Sequence, residues 1–172
     1  LHDALPISAL WVANQRVELA KRMKNPLHIY SAELNVAEVM IGVAMYKEGL
    51  EILDGIKSSD LDASGISYYY YQYHQVYTLM ADYAFSDKMK DHYRSLAYQY
   101  KDSILNIRKP GSQGYLLMKS EKLLYEEKYD EAIGILNSCY ETHKQKGYSV
   151  AIPSIGLANA YGVTGKIGRA HV

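Results

Sequence analysis

The sequence predicts an all-α fold made of helical hairpins that recur along the chain, and three observations predict it. Apolar residues return at three-and-four spacing almost everywhere. No stretch sustains the period-two alternation that a half-buried strand requires. One unit is also used twice: "MYKEGLEILDGI" (45–56) aligns without a gap against "KYDEAIGILNSC" (128–139). The alignment pairs Tyr46 with Tyr129, Glu48 with Glu131, Gly49 with Ala132 and Leu53 with Leu136.

Each element follows from local chemistry. A first helix over 9–24 carries Leu10, Ala13, Val17 and Ala20 on one stripe and stops at Asn25-Pro26, because the residue before proline is pushed out of the helical region. A second, over 29–44, has Leu34, Val36, Ala37, Val39, Met40, Ile41 and Val43 spread around its circumference, so it is expected to be covered on more than one side. The third, 47–57, is the first copy of the repeated unit. The loop "SSDLDASG" after it offers several N-caps. The fourth carries "SYYYYQYHQVYTLMADYAF" (67–85). The fifth starts near Ser86 and Asp87, carries Met89, Tyr93, Leu96, Ala97, Tyr100, Ile104 and Ile107, and ends at the breaker "KPGS". The sixth covers 113–127. The seventh, 129–145, bears Tyr129, Ala132, Ile133, Leu136, Cys139 and Tyr140 on one face. The eighth runs to about 163 with Pro153 in its first turn, where amides have no intrahelical partner.

Hairpins of this length joined by short loops resemble a tetratricopeptide-repeat (TPR) solenoid. "LANAY" (157–161) is similar to the Leu-Gly-x-x-Tyr element of that repeat, with Ala158 at the glycine position, and Gly165-Lys166 falls where such repeats turn. Ala37, Gly49, Ala132 and Ala158 are expected where two helices approach closely, since a larger side chain would overpack the contact. Tyr46 and Tyr129 stand 83 positions apart and bracket one degenerate repeat, giving a period of roughly 40 against the usual ~34. The expected architecture is a TPR-like α-α superhelix, a solenoid of about four helix pairs.

Composition bounds the function. Nineteen basic and nineteen acidic residues leave no net charge, which gives no nucleic-acid footprint and no polybasic membrane patch. No uninterrupted apolar run approaches the ~20 residues of a membrane helix, so the stretch is expected to be soluble. The single cysteine, Cys139, excludes an intrachain disulfide framework and falls on an apolar stripe, a core position rather than a nucleophile's. His28, His74, His92 and His143 are scattered over different helices without ligand spacing, so no metal is expected. "GVTGKIG" (162–168) lacks the first glycine and the Ser or Thr of a phosphate loop. Glu126 and Glu127 end a helix in a charged turn. No catalytic constellation is present, and the chain is expected to be non-enzymatic and without a cofactor.

Eighteen tyrosines against one phenylalanine is the unusual feature. Helical residues step by about 100 degrees, so Tyr68, Tyr69, Tyr70 and Tyr71 cannot share one buried stripe. Tyr69, Tyr73, Val76, Tyr77, Met80 and Ala84 make the most apolar stripe and the expected core face. Tyr71, Gln75 and Asp82 fall opposite it, with Tyr68 nearby. In TPR folds the first helix of each pair lines the concave groove, which makes Tyr68, Tyr71, Gln75 and Asp82 the candidate contacts for a peptide or protein, tyrosine offering rigid area and a hydroxyl at small entropic cost. The clamp lysines and asparagines of chaperone-tail-binding TPR domains are missing, with Leu34 and Glu38 at two of their positions.

"LNVAEVMIGVAMYKEGLEILDGI", "YYYYQYHQVYTLMADYA", "YKDSIL", "GYLLMKSEKLLYEEKYDEAIGIL" and "YSVAIPSIGLANAYGVTGK" together resemble the TPR region of a family of bacterial membrane-spanning regulators of unknown function. The likeness spans nearly all of 9–166. It implies a periplasmic sensor segment of an inner-membrane protein acting in signal transduction and transcriptional regulation, with the membrane reached only through parts of the full-length protein outside this stretch. A constitutive interaction scaffold or assembly adaptor is the other reading. The ends look foreign to it. "LHDALPIS" (1–8) reads back into CTA CAC GAC GCT CTT CCG ATC TC and "IGRAHV" (167–172) into ATC GGA AGA GCA CAC GTC, which resemble the two adapters of a short-read sequencing library. Residues 1–8 and 167–172 are therefore expected to be translated adapter, and 9–166 an internal fragment of about one domain.

Overall fold

The computed structural model describes residues 4–165. They form α1 (Ala4–Met23), α2 (Pro26–Gly42), α3 (Tyr46–Gly55), α4 (Ala63–Asp82), α5 (Asp87–Ile107), α6 (Gln113–Tyr125), α7 (Tyr129–Gln145) and α8 (Ala151–Val163), with a short 3-10 turn at Ser58–Asp60 and no strand among the described residues. The chain divides into two compact units, Leu1–Ile107 with α1 to α5 and Arg108–Val172 with α6 to α8. Of the two segments expected to be adapter, residues 1–3 and 167–172 lie outside the described residues, and α1 includes positions 4–8.

Polar caps set the starts of three helices. The Asn25 side chain accepts from the Leu27 amide at 3.0 Å, so α2 begins at Pro26 rather than near residue 29. Asp62 accepts from the Gly65 amide at 2.7 Å and starts α4 at Ala63, a turn ahead of the tyrosine run. Ser112 does the same for α6 through the Tyr115 amide at 3.3 Å. None of these caps leaves a trace in the spacing of apolar residues.

In the first unit α2 is the central element, packed against α1, α3 and α4, which is why it is apolar on every side. One core cluster joins Leu34, Ala37 and Ile41 of α2 to Leu53 of α3, Ile56 beyond it and Tyr73 and Val76 of α4. Fully burying a side chain such as Leu34 or Leu53 contributes about 1.5–3 kcal/mol. A second cluster sets Ala13, Val17 and Ala20 of α1 on Ala32 and Val36 of α2, as the α1 stripe predicts.

The two copies of the repeated unit have the same backbone, bond for bond. Val43 N–H donates to the Val39 carbonyl, Ala44 to Ile41, Met45 to Met40 and Gly49 to Met45. In the second unit, 83 positions on, Glu126 donates to Lys122, Glu127 to Leu124, Lys128 to Leu123 and Ala132 to Lys128. Ala44 and Glu127 both sit in the left-handed region, at φ 63 and 60, as the residue that ends a helix commonly does. Gly49 and Ala132, Leu53 and Leu136, and Ile56 and Cys139 are buried in matching pairs. Tyr46 and Tyr129 therefore occupy equivalent places.

α4 and α5, 20 and 21 residues long, are joined by tyrosines. Tyr73 and Tyr100 stack with ring centroids 4.4 Å apart at 6°. Tyr77 lies 5.9 Å from Tyr100 and 6.4 Å from Tyr93, again near parallel, and Tyr69 meets Tyr73 edge-on at 5.1 Å. This ladder zips the two helices together and matches the expected core face of α4.

The second unit packs α6 on α7 and α7 on α8. A Cβ on Gly156 would meet Leu136 Cδ2 at 2.7 Å, so α8 approaches α7 most closely there, beside the fully buried Ala160. This corrects the expectation for Ala158, which is exposed. In a TPR, its position faces the second helix of its own pair, and no described helix follows α8. Cys139 is buried, and burial pushes its thiol pKa up, as befits a core residue.

Candidate ligand grooves

The first unit has a groove of about 380 Å³ between α2 and α4. Leu27, Ser31 and Leu34 line one wall, and Leu61, Asp62 and Tyr68 the other. These are the first helices of successive pairs, the ones expected to line a concave face. The Tyr68 hydroxyl donates to Glu38 Oε2 at 2.5 Å and so ties α4 to α2. Burial, and then this carboxylate, push the Tyr68 pKa well above the usual tyrosine range, so Tyr68 acts here as a donor. The Gln72 amide, almost fully buried, lies beside the same hydroxyl and opposes that shift. Its Nε2 has no well-formed hydrogen bond among the described residues.

Of the four residues predicted from sequence, Tyr68 lines the groove, Tyr71 one turn on is 38 % exposed, and Gln75 on the following turn is half-buried. These three make one continuous stripe. Asp82 does not join it. It stands fourteen residues from Tyr68, about 21 Å along the helix axis, and acts on the phenol of Tyr46 instead. Gln72 was missed because its helical position, next to the predicted core stripe, gives a buried glutamine no distinguishing mark in sequence.

In the second unit the corresponding groove lies between α6 and α8, about 220 Å³ in volume. Its walls are Leu117 and Leu124 of α6 and Ile152, Ile155 and Asn159 of α8. Ile152 and Ile155 are 59 % and 62 % exposed, a branched aliphatic surface presented to solvent. The sequence reading did not select these residues. Their signal was available, since "VAIPSIGLANAYGV" holds more apolar side chains than one packed stripe can absorb.

His74 Nδ1 is 3.0 Å from the Ala97 carbonyl and His143 Nδ1 is 2.7 Å from the Ser149 carbonyl, which makes Nδ1 the protonated nitrogen in each. Glu126 accepts from Lys128 Nζ at 2.7 Å, and that bond holds its carboxyl below the usual range. No group of three or more His, Cys, Asp or Glu suited to a metal occurs among the described residues. No helix among them is long and apolar enough to cross a membrane. "GVTGKIG" runs past residue 165 and so lies partly outside the described residues.

Comparison with known proteins accords with the architecture. No curated protein and no solved structure matches the chain. A family does: the SusR N-terminal TPR domain, over residues 8–171. TPR domains are in general non-catalytic modules that bind peptides or proteins. Eight helices among the described residues, a repeated hairpin with matching backbone bonds and a family match across almost the whole length agree, and the chain belongs to the family of SusR N-terminal TPR domains.

Proposed function

We propose that this chain is the partner-binding sensor segment of a larger bacterial signalling or transcriptional regulator, and that it binds a peptide through the concave faces of its first helices. The observation that carries the reading is the α6/α8 groove, where Ile152 and Ile155 stand exposed opposite Leu117 and Leu124. An aliphatic side chain of the partner seats between them, with the Asn159 amide available to its backbone. In the first unit Tyr68, Tyr71 and Gln75 supply a polar-aromatic contact stripe. Occupancy acts by biasing the packing of neighbouring repeats. Placement in the periplasm, ahead of a membrane helix, rests on the family resemblance, and the treatment of 1–8 and 167–172 as adapter rests on their nucleotide reading.

Peptide display against the immobilised chain tests the binding. Selected peptides are expected to share an aliphatic anchor, and Ile155→Glu to abolish their binding with an unchanged circular dichroism spectrum. Selected peptides that lack such an anchor, or that bind Ile155→Glu as well as wild type, would remove the α6/α8 groove from the proposal. Recovering the full gene from the source DNA tests the rest. A membrane helix followed by a cytoplasmic segment supports the sensor, further repeats alone support a scaffold, and genomic sequence in place of adapter at either end refutes the adapter assignment.

A further inference from the structure

A separate cavity of about 320 Å³ lies in the first unit where α1, α2 and α3 meet. Its floor is apolar: Val17 and Val36 are buried members of the α1–α2 core cluster, and Ile52 packs against them. Its polar lining is Asn14, Glu33 and Glu51. Gly55 opens one side, since a Cβ there would meet nothing within 4 Å.

We propose that this cavity binds a protonated aliphatic amine, its hydrocarbon chain lying on Val17, Val36 and Ile52 and its ammonium held by the carboxylates of Glu33 and Glu51 with the Asn14 amide.

Two carboxylates on a surface would by themselves be a solvated charged face. Here they border a hydrocarbon floor, and Glu33 is half-buried without a hydrogen bond or ion pair among the described residues. Loss of water pushes its carboxyl pKa up, the condition that a bound cation relieves. Lys21 acts on it in the opposite sense but is itself bonded to Glu18 at 3.3 Å. Among the described residues Glu51 meets Lys47 alone, at 3.7 Å and well exposed. The repeat does not need these residues for packing. Leu116, Gly134 and Ser138 stand in the second copy where Glu33, Glu51 and Gly55 stand in the first.

The lining also selects the kind of cation. No aromatic ring among the described residues lines the cavity, which disfavours a quaternary ammonium seeking a π-face. Two carboxylates and one amide over an apolar floor supply fewer protein oxygens than the roughly six to eight that calcium takes. A primary ammonium donates up to three hydrogen bonds and carries an alkyl stem, which fits both halves of the site.

Titration calorimetry on the whole chain at low salt tests this with 1,5-diaminopentane, its neutral counterpart 1,5-pentanediol, and Nα-acetyl-lysine methylamide. Both amines are expected to bind and the diol not to. The tighter amine shows whether the natural ligand is a free diamine or the lysine side chain of a partner. Glu33→Gln and Glu51→Gln should each weaken binding by about fivefold or more, the scale of one partly exposed charge contact. Gly55→Leu, which places a side chain in the cavity without changing charge and favours helix, should abolish it with thermal unfolding no lower than wild type. Equal binding of diol and diamine, absence of binding by both amines, or full binding by Gly55→Leu would overturn the proposal.

Discussion

Tyr73 shows most directly how one residue type came to serve so many purposes here. Its ring stacks on Tyr100 at 4.4 Å in the core, and its hydroxyl reaches out of that core to donate to Asp54 Oδ1 of α3 at 2.5 Å. Phenylalanine could supply the first contact but not the second, which is a physical reason for eighteen tyrosines and one phenylalanine. Tyr73→Phe should cost about 1 kcal/mol, because the exposed Asp54 recovers water when its donor is lost. Tyr73→Ala should cost about 3–5 kcal/mol by opening a cavity. Urea midpoints at unchanged slope measure both, and equal losses would show that the ring contributes nothing. The stripe holding Tyr69, Tyr73 and Tyr77 was legible from helical spacing alone. The bonds to Asp54 and Glu38 were not, since both partners lie on other helices.

At the scale of the element, the repeated turn is set by its φ values more than by its residues. Ala44 and Glu127 share a left-handed backbone although their side chains have nothing in common, and neither is the glycine that such a position favours. Ala44→Gly should therefore stabilise the chain by about 1 kcal/mol, read as a higher melting temperature. A lower one would mean that the turn is not strained. The close approach behind the turn gives the opposite expectation. A Cβ on Gly49 would come within 2.8 Å of Ile41 Cγ1, whereas the second copy carries Ala132 where Leu124 replaces Ile41. Gly49→Ala should accordingly destabilise despite its better helix propensity, by about 1–3 kcal/mol. Ala132→Glu, which buries a charge between helices, should unfold the second copy and lose its share of the helical circular dichroism. Unchanged melting in that variant would contradict the register of the repeat.

At the scale of the molecule, the tyrosine bonding makes the first unit sensitive to alkali. Burial raises the pKa of Tyr68, Tyr73 and Tyr77, in each case ahead of the neighbouring acids, and Tyr100 is pushed up to about 12. In the unfolded chain these phenols ionise near pH ~10. Below that pH both states hold the protons and stability is unaffected. Above it the unfolded state releases protons that the folded state retains, so stability falls as pH rises. A titration followed by both tyrosinate absorbance and circular dichroism should show these phenols ionising together with loss of helix. Free ionisation of every tyrosine near pH ~10 with helix intact would refute the burial described for α4 and α5.

The sequence by itself determined the helices, the repeated hairpin and the faces that α1, α4 and α7 bury, because all three depend on residues three, four or 83 positions apart along one chain. Tertiary structure decided which polar groups come together: Tyr68 with Glu38 across the groove, from whose lining Asp82 is missing, and Glu33 with Glu51 around one cavity. It also decided that Gly156, not Ala158, marks the closest approach of α8 to α7. Periodicity fixes the direction in which a side chain leaves its own helix, but what it meets depends on how neighbouring helices are displaced and rotated, which spacing along the chain does not encode.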